Sequence, residues 1–217
     1  MTTQTFAPPV TVTPGESEPD TPLVVLLHGR GSDEHGIIGL AGALSAGAEY
    51  VAVRAPIAEG GGYAWFANRG IGRPIAESLD DTTTWFETWL AGHVSANRRV
   101  ILIGFSGGAA FAGGLVLRHP QRYMGAAILY GTVPFDAGVP TTSDRLAGTH
   151  VFVAQGDADD VIPRELLDRT WTYLREESGG DVTSHRDPSG HVLSERAIEA
   201  LSDWLEGVID AARNGED

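Results

Sequence analysis

The 217-residue chain contains no cysteine and no lysine. Without cysteine there are no disulfides, no thiolate metal sites and no cysteine nucleophile. Without lysine there is no Schiff-base chemistry on the chain and no phosphate-binding loop of the G-x-x-x-x-G-K-[ST] type. No stretch approaches the roughly 20 apolar residues of a membrane-spanning helix. The start, "MTTQTFAPPVTVTPGESEPDTP", has neither the basic opening nor the apolar core of a signal peptide. A cytoplasmic protein without stable membrane insertion is therefore expected. Fifteen arginines face 29 acidic residues, for a formal net charge of −14. Such a surface repels a polyanion over its whole approach path, which argues against a nucleic-acid partner.

Hydrophobic residues make up 42% of the chain, enough at this length to bury one substantial core. One domain over 1–217 is expected, with a peripheral segment at 1–20 and a frayed tail at 212–217. Apolar runs at 23–27 (LVVLL), 50–53 (YVAV), 100–105 (VILIGF), 125–130 (GAAILY) and 150–154 (HVFVA) are continuous rather than alternating. That pattern suits parallel strands covered on both faces. "DVTSH" (181–185) is a weaker sixth strand, and "PVTVT" (9–13) an edge strand.

Helical patterns separate these runs. Ile37, Leu40 and Leu44 form one apolar stripe, and Trp85, Phe86, Trp89 and Leu90 lie on a second helix, capped by Ser78 with Asp81 three residues on. His119 and Pro120 end a third, Pro163 suits the first position of a fourth, and Ser194 precedes a last stripe of Ile198, Leu201, Leu205 and Val208. Alternating strands and helices predict an α/β fold: a mostly parallel sheet of about six or seven strands, helices on both faces and no large lid domain. Ligands in such folds bind beyond the carboxyl ends of the strands. The long connections 55–77 and 131–148 are candidates to wall a pocket.

"GFSGG" (104–108) joins the end of one predicted strand to the start of a helix. The spacing G-x-S-x-G in that context suits a sharp turn that presents Ser106, with tiny residues two positions away on either side where strand and helix approach. A glycine-rich turn that only packs, or binds a phosphate, is the plainer alternative. The spacing is not that of a dinucleotide fingerprint, and no acidic ribose partner is evident at the end of the next strand.

A serine hydroxyl needs a base at hydrogen-bond distance, and the base needs an acid to fix its tautomer. The order expected on this fold is serine, acid, histidine. His191, in the loop "DPSGHVLSE" ahead of the final helix, has the right place. His93 and His119 fall at helix ends, His150 and His185 within strands, and His28 and His35 ahead of the serine. Asp157, Asp159 and Asp160 all follow the strand 150–154, and Asp187 is a fourth candidate beside a proline; spacing alone does not choose among them. The glycine-rich loop "LLHGRGSDEHG" supplies the N–H of Arg30, and the turn supplies that of Gly107, as two donors for an oxyanion. The Arg30 side chain either adds charge to the site or faces solvent. Tyr63, Trp65, Phe66, Val133, Pro134 and Phe135 are candidates for an apolar substrate pocket, or for packing.

Together "LLHGRGSDE" (26–34), "RAP" (54–56), "WF" (65–66), "IGFSGGAAFAGGLVLRHP" (103–120), "GDADDVIP" (156–163) and "GHVLSERAIEAL" (190–201) resemble the carboxylesterase and phospholipase-type branch of the α/β-hydrolases, which includes the acyl-protein thioesterases. The blocks occur in that family's order and cover most of the chain. The resemblance implies Ser106 as nucleophile, His191 as base, Asp159 as acid and the backbone of Arg30 and Gly107 as oxyanion donors. It also implies a carboxylic ester or thioester as small-molecule substrate and no metal or organic cofactor, and it leaves a homodimer open. Two positions depart from the thioesterases: Gly107 stands where they typically carry glutamine, and Gln155 where they carry histidine. Carboxylesterase activity is the expectation; acyl thioesterase, lysophospholipase, and a binding protein that keeps the fold without turnover are the alternatives.

Overall fold

The computed structural model describes residues 4–15 and 21–214. In chain order its elements are β1 (Thr11–Val12), β2 (Leu23–Leu27), α1 (Glu34–Ile38), β3 (Glu49–Val53), β4 (Ile57–Glu59), β5 (Gly62–Ala64), β6 (Asn68–Gly70), β7 (Arg73–Pro74) and α2 (Ala76–His93). The second half holds β8 (Val100–Phe105), α3 (Gly107–Arg118), β9 (Gly125–Leu129), β10 (His150–Gly156), α4 (Arg164–Thr172), β11 (Asp181–Asp187) and α5 (Glu195–Asn214).

Seven strands form one sheet in the order β1-β3-β2-β8-β9-β10-β11. Every pairing is parallel except that of β1 with β3, so the expected edge strand lies antiparallel and shortened to Thr11–Val12. The central strands read as unbroken apolar runs because both of their faces are covered. Leu23, Val25 and Leu27 of β2 point into a core shared with α2 and α3, while Val24 and Leu26 point into a second core shared with α1 and α5. On α5, Leu201, Leu205 and Val208 are buried at helical spacing. Each contributes about 1.5–3 kcal/mol by leaving water.

Three boundaries differ from the sequence reading. Helix α2 starts at Ala76, not after Ser78, and has no side-chain cap. Ser78 instead accepts a hydrogen bond from the Ala67 amide at 2.9 Å, tying α2 to the preceding loop. Pro163 sits one residue ahead of α4, its fixed φ of −51° leading into the helix. Residues 212–214, expected as frayed tail, continue α5; 215–217 lie outside the described residues, as do 1–3 and 16–20 of the expected peripheral segment. Ser194 does cap α5, its hydroxyl accepting from the Ala197 amide at 3.1 Å.

Sheet order positions the site. From β2 the chain steps to β3 on one side, then crosses to β8 on the other side of β2 and continues outward through β9, β10 and β11. The connections after β2 and β8 therefore diverge, leaving a crevice at the carboxyl ends of these neighbouring strands. The loop 28–33 and Ser106 flank it.

Candidate active site

Ser106 follows β8 with φ 55° and ψ −114°, a left-handed φ in a residue that carries a side chain. Such a conformation costs about 1–3 kcal/mol and persists only where its surroundings enforce it. Two glycines permit it. A Cβ on Gly104 would lie 2.1 Å from the Gly108 carbonyl oxygen, and one on Gly108 would lie 2.1 Å from that of Leu27. The Ser106 amide is held by the Leu129 carbonyl at 2.9 Å, so the turn is locked to β9.

Ser106 Oγ stands 2.8 Å from His191 Nε2, and His191 Nδ1 stands 2.8 Å from Asp159 Oδ2. A carboxylate accepts at Nδ1, which leaves the Nε2 lone pair facing the serine hydroxyl. Asp159 Oδ1 is engaged by the backbone N–H groups of Val161 at 2.9 Å and Ile162 at 3.0 Å, so both carboxylate oxygens are fixed. Asp157 and Asp160 are exposed.

Asp187 does not reach His191 but organises the base of its loop. It accepts hydrogen bonds from the Tyr130 hydroxyl at 3.0 Å, the Ser189 amide at 2.9 Å and the Ser194 hydroxyl. Burial pushes its carboxyl upward, but the bonds from Ser189, Ser194 and Tyr130 outweigh burial and hold it well below the ordinary carboxylate range.

Gly107 and the Arg30 backbone nitrogen lie side by side in the wall of one cavity: a Cβ on Gly107 would stand 3.3 Å from that nitrogen. Neither N–H finds a protein acceptor among the described residues. Gly107 opens α3, whose dipole adds positive potential at the serine. The Arg30 guanidinium is not free in solvent. It donates to Glu59 at 2.6 Å and to the Phe66 carbonyl at 2.8 Å, clipping the donor loop to the wall built by 57–66.

His28 was legible only as a histidine on the correct edge. Its ring is buried, with Nδ1 donating to the Gly29 carbonyl at 2.8 Å and Nε2 accepting from the Ala55 amide at 3.1 Å. Those two bonds define a neutral tautomer that braces the loop carrying Arg30. Burial lowers its pKa from the ordinary histidine value.

A cavity of about 680 Å³ opens beside Ser106. Of the six aromatic and aliphatic pocket candidates, only Phe66 lines it. Trp65 is fully buried, stacked on Phe111 at 4.5 Å between ring centroids and donating to the His28 carbonyl. Tyr63 lies beneath the Arg54 guanidinium. Val133 is buried, Pro134 packs against Gly113 and Gly114 of α3, and Phe135 sits under Arg169. The sequence reading missed the β6–β7 hairpin, which supplies Asn68, Ile71 and Gly72, and the loops that supply Val161, Ile162 and Val192. The connection 55–77 thus forms much of the wall, whereas 131–148 contributes Thr132. Ile71, Val161 and Val192, exposed by 53%, 42% and 55%, make the rim apolar.

A serine on a strained strand–helix turn over a mostly parallel sheet, with an aspartate and a histidine on later loops, defines a protein of the α/β-hydrolase fold. The profile of the Phospholipase/Carboxylesterase family matches residues 9–209, and the chain belongs to that family. It is a hydrolase of the phospholipase/carboxylesterase type. A carboxylesterase structure from Bacillus cereus superposes with a TM-score of 0.80 at 25% identity, covering 91% of this chain and 93% of that one. A putative hydrolase of Bacillus subtilis, MhqD, is 25% identical over 86% of this chain and 94% of its own length. Acyl-protein thioesterase 1 of Mycosarcoma maydis is 34% identical over 56% of this chain and 53% of its own.

Proposed function

We propose that the protein is a serine carboxylesterase that works through an acyl-enzyme intermediate on Ser106. The observation that carries this reading is the unbroken relay from Ser106 Oγ to His191 Nε2 and from His191 Nδ1 to Asp159, at 2.8 Å for each link. Ser106 Oγ attacks the ester carbonyl carbon while its proton passes to His191 Nε2, and Asp159 stabilises the imidazolium. The tetrahedral oxyanion is received by the Arg30 and Gly107 N–H groups, each worth about 2.7–4 kcal/mol of barrier. Collapse breaks the bond to the alkoxide, which leaves with the proton from Nε2. Water, deprotonated by the same nitrogen, then attacks the acyl-serine and releases the acid.

Both departures from the thioesterases leave this machinery intact. The donor at position 107 is backbone, and Gln155 is buried outside the site, donating to the Leu167 carbonyl and accepting from Arg186. Unpaired donors beside a strained serine favour turnover over passive binding, since a binding protein has no need of either.

The test is a series of nitrophenyl esters of rising acyl length, set against thioester and amide analogues. Ester turnover is expected to lead the series, and Ser106→Ala is expected to lower kcat by about 10⁶-fold. Negligible ester turnover by pure wild-type protein, or turnover that survives Ser106→Ala, contradicts the reading.

A further inference from the structure

His191 stands on the loop 188–193, and the two ends of that loop are drawn together by one buried side chain, Asp187. Its Oδ1 accepts from the Ser189 amide at 2.9 Å, ahead of His191, and its Oδ2 accepts from the Ser194 hydroxyl beyond it. Oδ2 also accepts from the Tyr130 hydroxyl at 3.0 Å and meets His185 Nε2 at 3.2 Å. An ionised carboxylate only accepts and offers about four lone-pair sites, more than any amide or hydroxyl could give these donors. Tyr130 is in turn tied to the nucleophile. It follows β9 with a left-handed φ of 49°, a conformation that persists only where its surroundings enforce it. The residues on either side of it meet the Ser106 turn: the Leu129 carbonyl accepts from the Ser106 amide at 2.9 Å, and a Cβ on Gly131 would lie 2.7 Å from the Ser106 carbonyl oxygen. A chain of contacts therefore runs from Ser106 through Tyr130 and Asp187 to both ends of the His191 loop, without passing through the bond between Ser106 and His191.

We propose that Asp187 is a positioning residue: by joining both ends of the His191 loop to Tyr130, it sets the distance from the imidazole to the Ser106 hydroxyl, and with it kcat. The proposal rests on the reading of Ser106 as nucleophile and His191 as base. The two aspartates divide the work. Asp159 meets the imidazole and fixes its tautomer, whereas Asp187 makes no bond to that ring and does not line the cavity. It acts through the backbone that carries the ring. The acid's own loop leans on the same segment: the Ala158 amide donates to the Ser189 carbonyl at 3.0 Å, and a Cβ on Gly156 would stand 2.3 Å and 2.5 Å from the carbonyl oxygens of Ser189 and Gly190. A base displaced by about 1 Å costs on the order of 10²-fold in rate.

The experiment measures kcat for a nitrophenyl ester, and the rate at which a fluorophosphonate labels Ser106, in Asp187→Ala, Asp187→Asn and Tyr130→Phe, each checked for folding by chemical denaturation. Asp187→Ala is expected to slow both by about 10²-fold. Asp187→Asn, which keeps an acceptor for the Ser189 amide, recovers part of that loss. Tyr130→Phe deletes only the hydroxyl and lowers both rates by about fivefold, and it carries the same test where Asp187→Ala does not fold. The readout that separates positioning from support of the fold is the His191→Ala background, in which the same substitutions leave the residual kcat unchanged. Wild-type kcat in folded Asp187→Ala or Tyr130→Phe, or a loss that persists without His191, overturns the proposal. Negligible ester turnover by the wild type, with labelling that still falls in Asp187→Ala, defeats the esterase reading and leaves the assignment of Asp187 standing. Ester turnover that Asp187→Ala does not alter does the reverse.

Discussion

At the residue scale, the site depends on side chains whose protonation and orientation are fixed by their neighbours. Asp159 holds His191 with one oxygen and is itself held by two backbone amides through the other. Asp159→Asn keeps the shape but removes the acceptor that sets the imidazole tautomer, and kcat is expected to fall by about 10⁴-fold with little change in KM. A fall in KM alone, with kcat intact, contradicts that role. His28 illustrates the reverse case, a histidine that must stay neutral. Burial is the main cause of its lowered pKa, opposed by its bond to Gly29 and by Asp33 and Glu34. An unfolded chain takes up that proton near pH 6.5, whereas the folded one does so only at lower pH. The unfolded state therefore binds more protons in that window, and stability must fall as pH drops below about 6.5. Denaturant midpoints at pH 7.5, 6.0 and 5.0 check this: His28→Gln is expected to flatten the fall, and an unchanged slope contradicts it. The place of Ser106 on a strand–helix turn was legible because a short motif sat in a telling context, whereas only the resemblance singled out Asp159, the aspartate that meets His191, from three in four residues. The bracing by His28 was not legible, since it is defined by contacts with Ala55 and Trp65, 27 and 37 residues away, that no local pattern encodes.

At the scale of elements, the turn between β8 and α3 is the most demanding piece of backbone in the chain. Gly104 and Gly108 have no room for a Cβ because each faces a carbonyl oxygen at a distance that real side chains do not reach. Gly104→Ala is expected to destabilise the protein by roughly 3 kcal/mol and to abolish activity, since relief requires the turn to open. Chemical denaturation and ester turnover measured together check this, and a variant of wild-type stability and rate contradicts it. The continuous apolar runs predicted five of the six parallel strands because burial on both faces leaves a strong compositional signal; β11, half-exposed at the sheet edge, carries only the weaker signal of DVTSH. Helix α2 was misplaced at its start because Ser78, a good cap by type, bonds across to Ala67 instead. The β6–β7 hairpin escaped notice for a different reason. Its strands are two and three residues long and rich in glycine and arginine, so their pairing is set by the wall they pack on and not by their own periodicity.

For the whole molecule, function follows from topology. The change of direction at β2 opens the crevice, and the loops after β2, β8, β10 and β11 deliver the Arg30 and Gly107 donors, Ser106, Asp159 and His191 to it from positions up to 161 residues apart. No short segment of the chain can hold this geometry, which is why composition and motif could nominate the residues but only the fold brings them together. Among the described residues no helix is long and apolar enough to cross a membrane. Among the described residues, the exposed large hydrophobics other than Val10 line the cavity. The account therefore rests on an imidazole meeting one hydroxyl, and a fluorophosphonate probe reads that encounter directly. Intact-mass analysis is expected to find a single adduct on the native wild-type protein, mapped by peptide analysis to Ser106, and none on His191→Ala or on the urea-unfolded chain. Labelling of another residue, or equal labelling with and without His191, would contradict it.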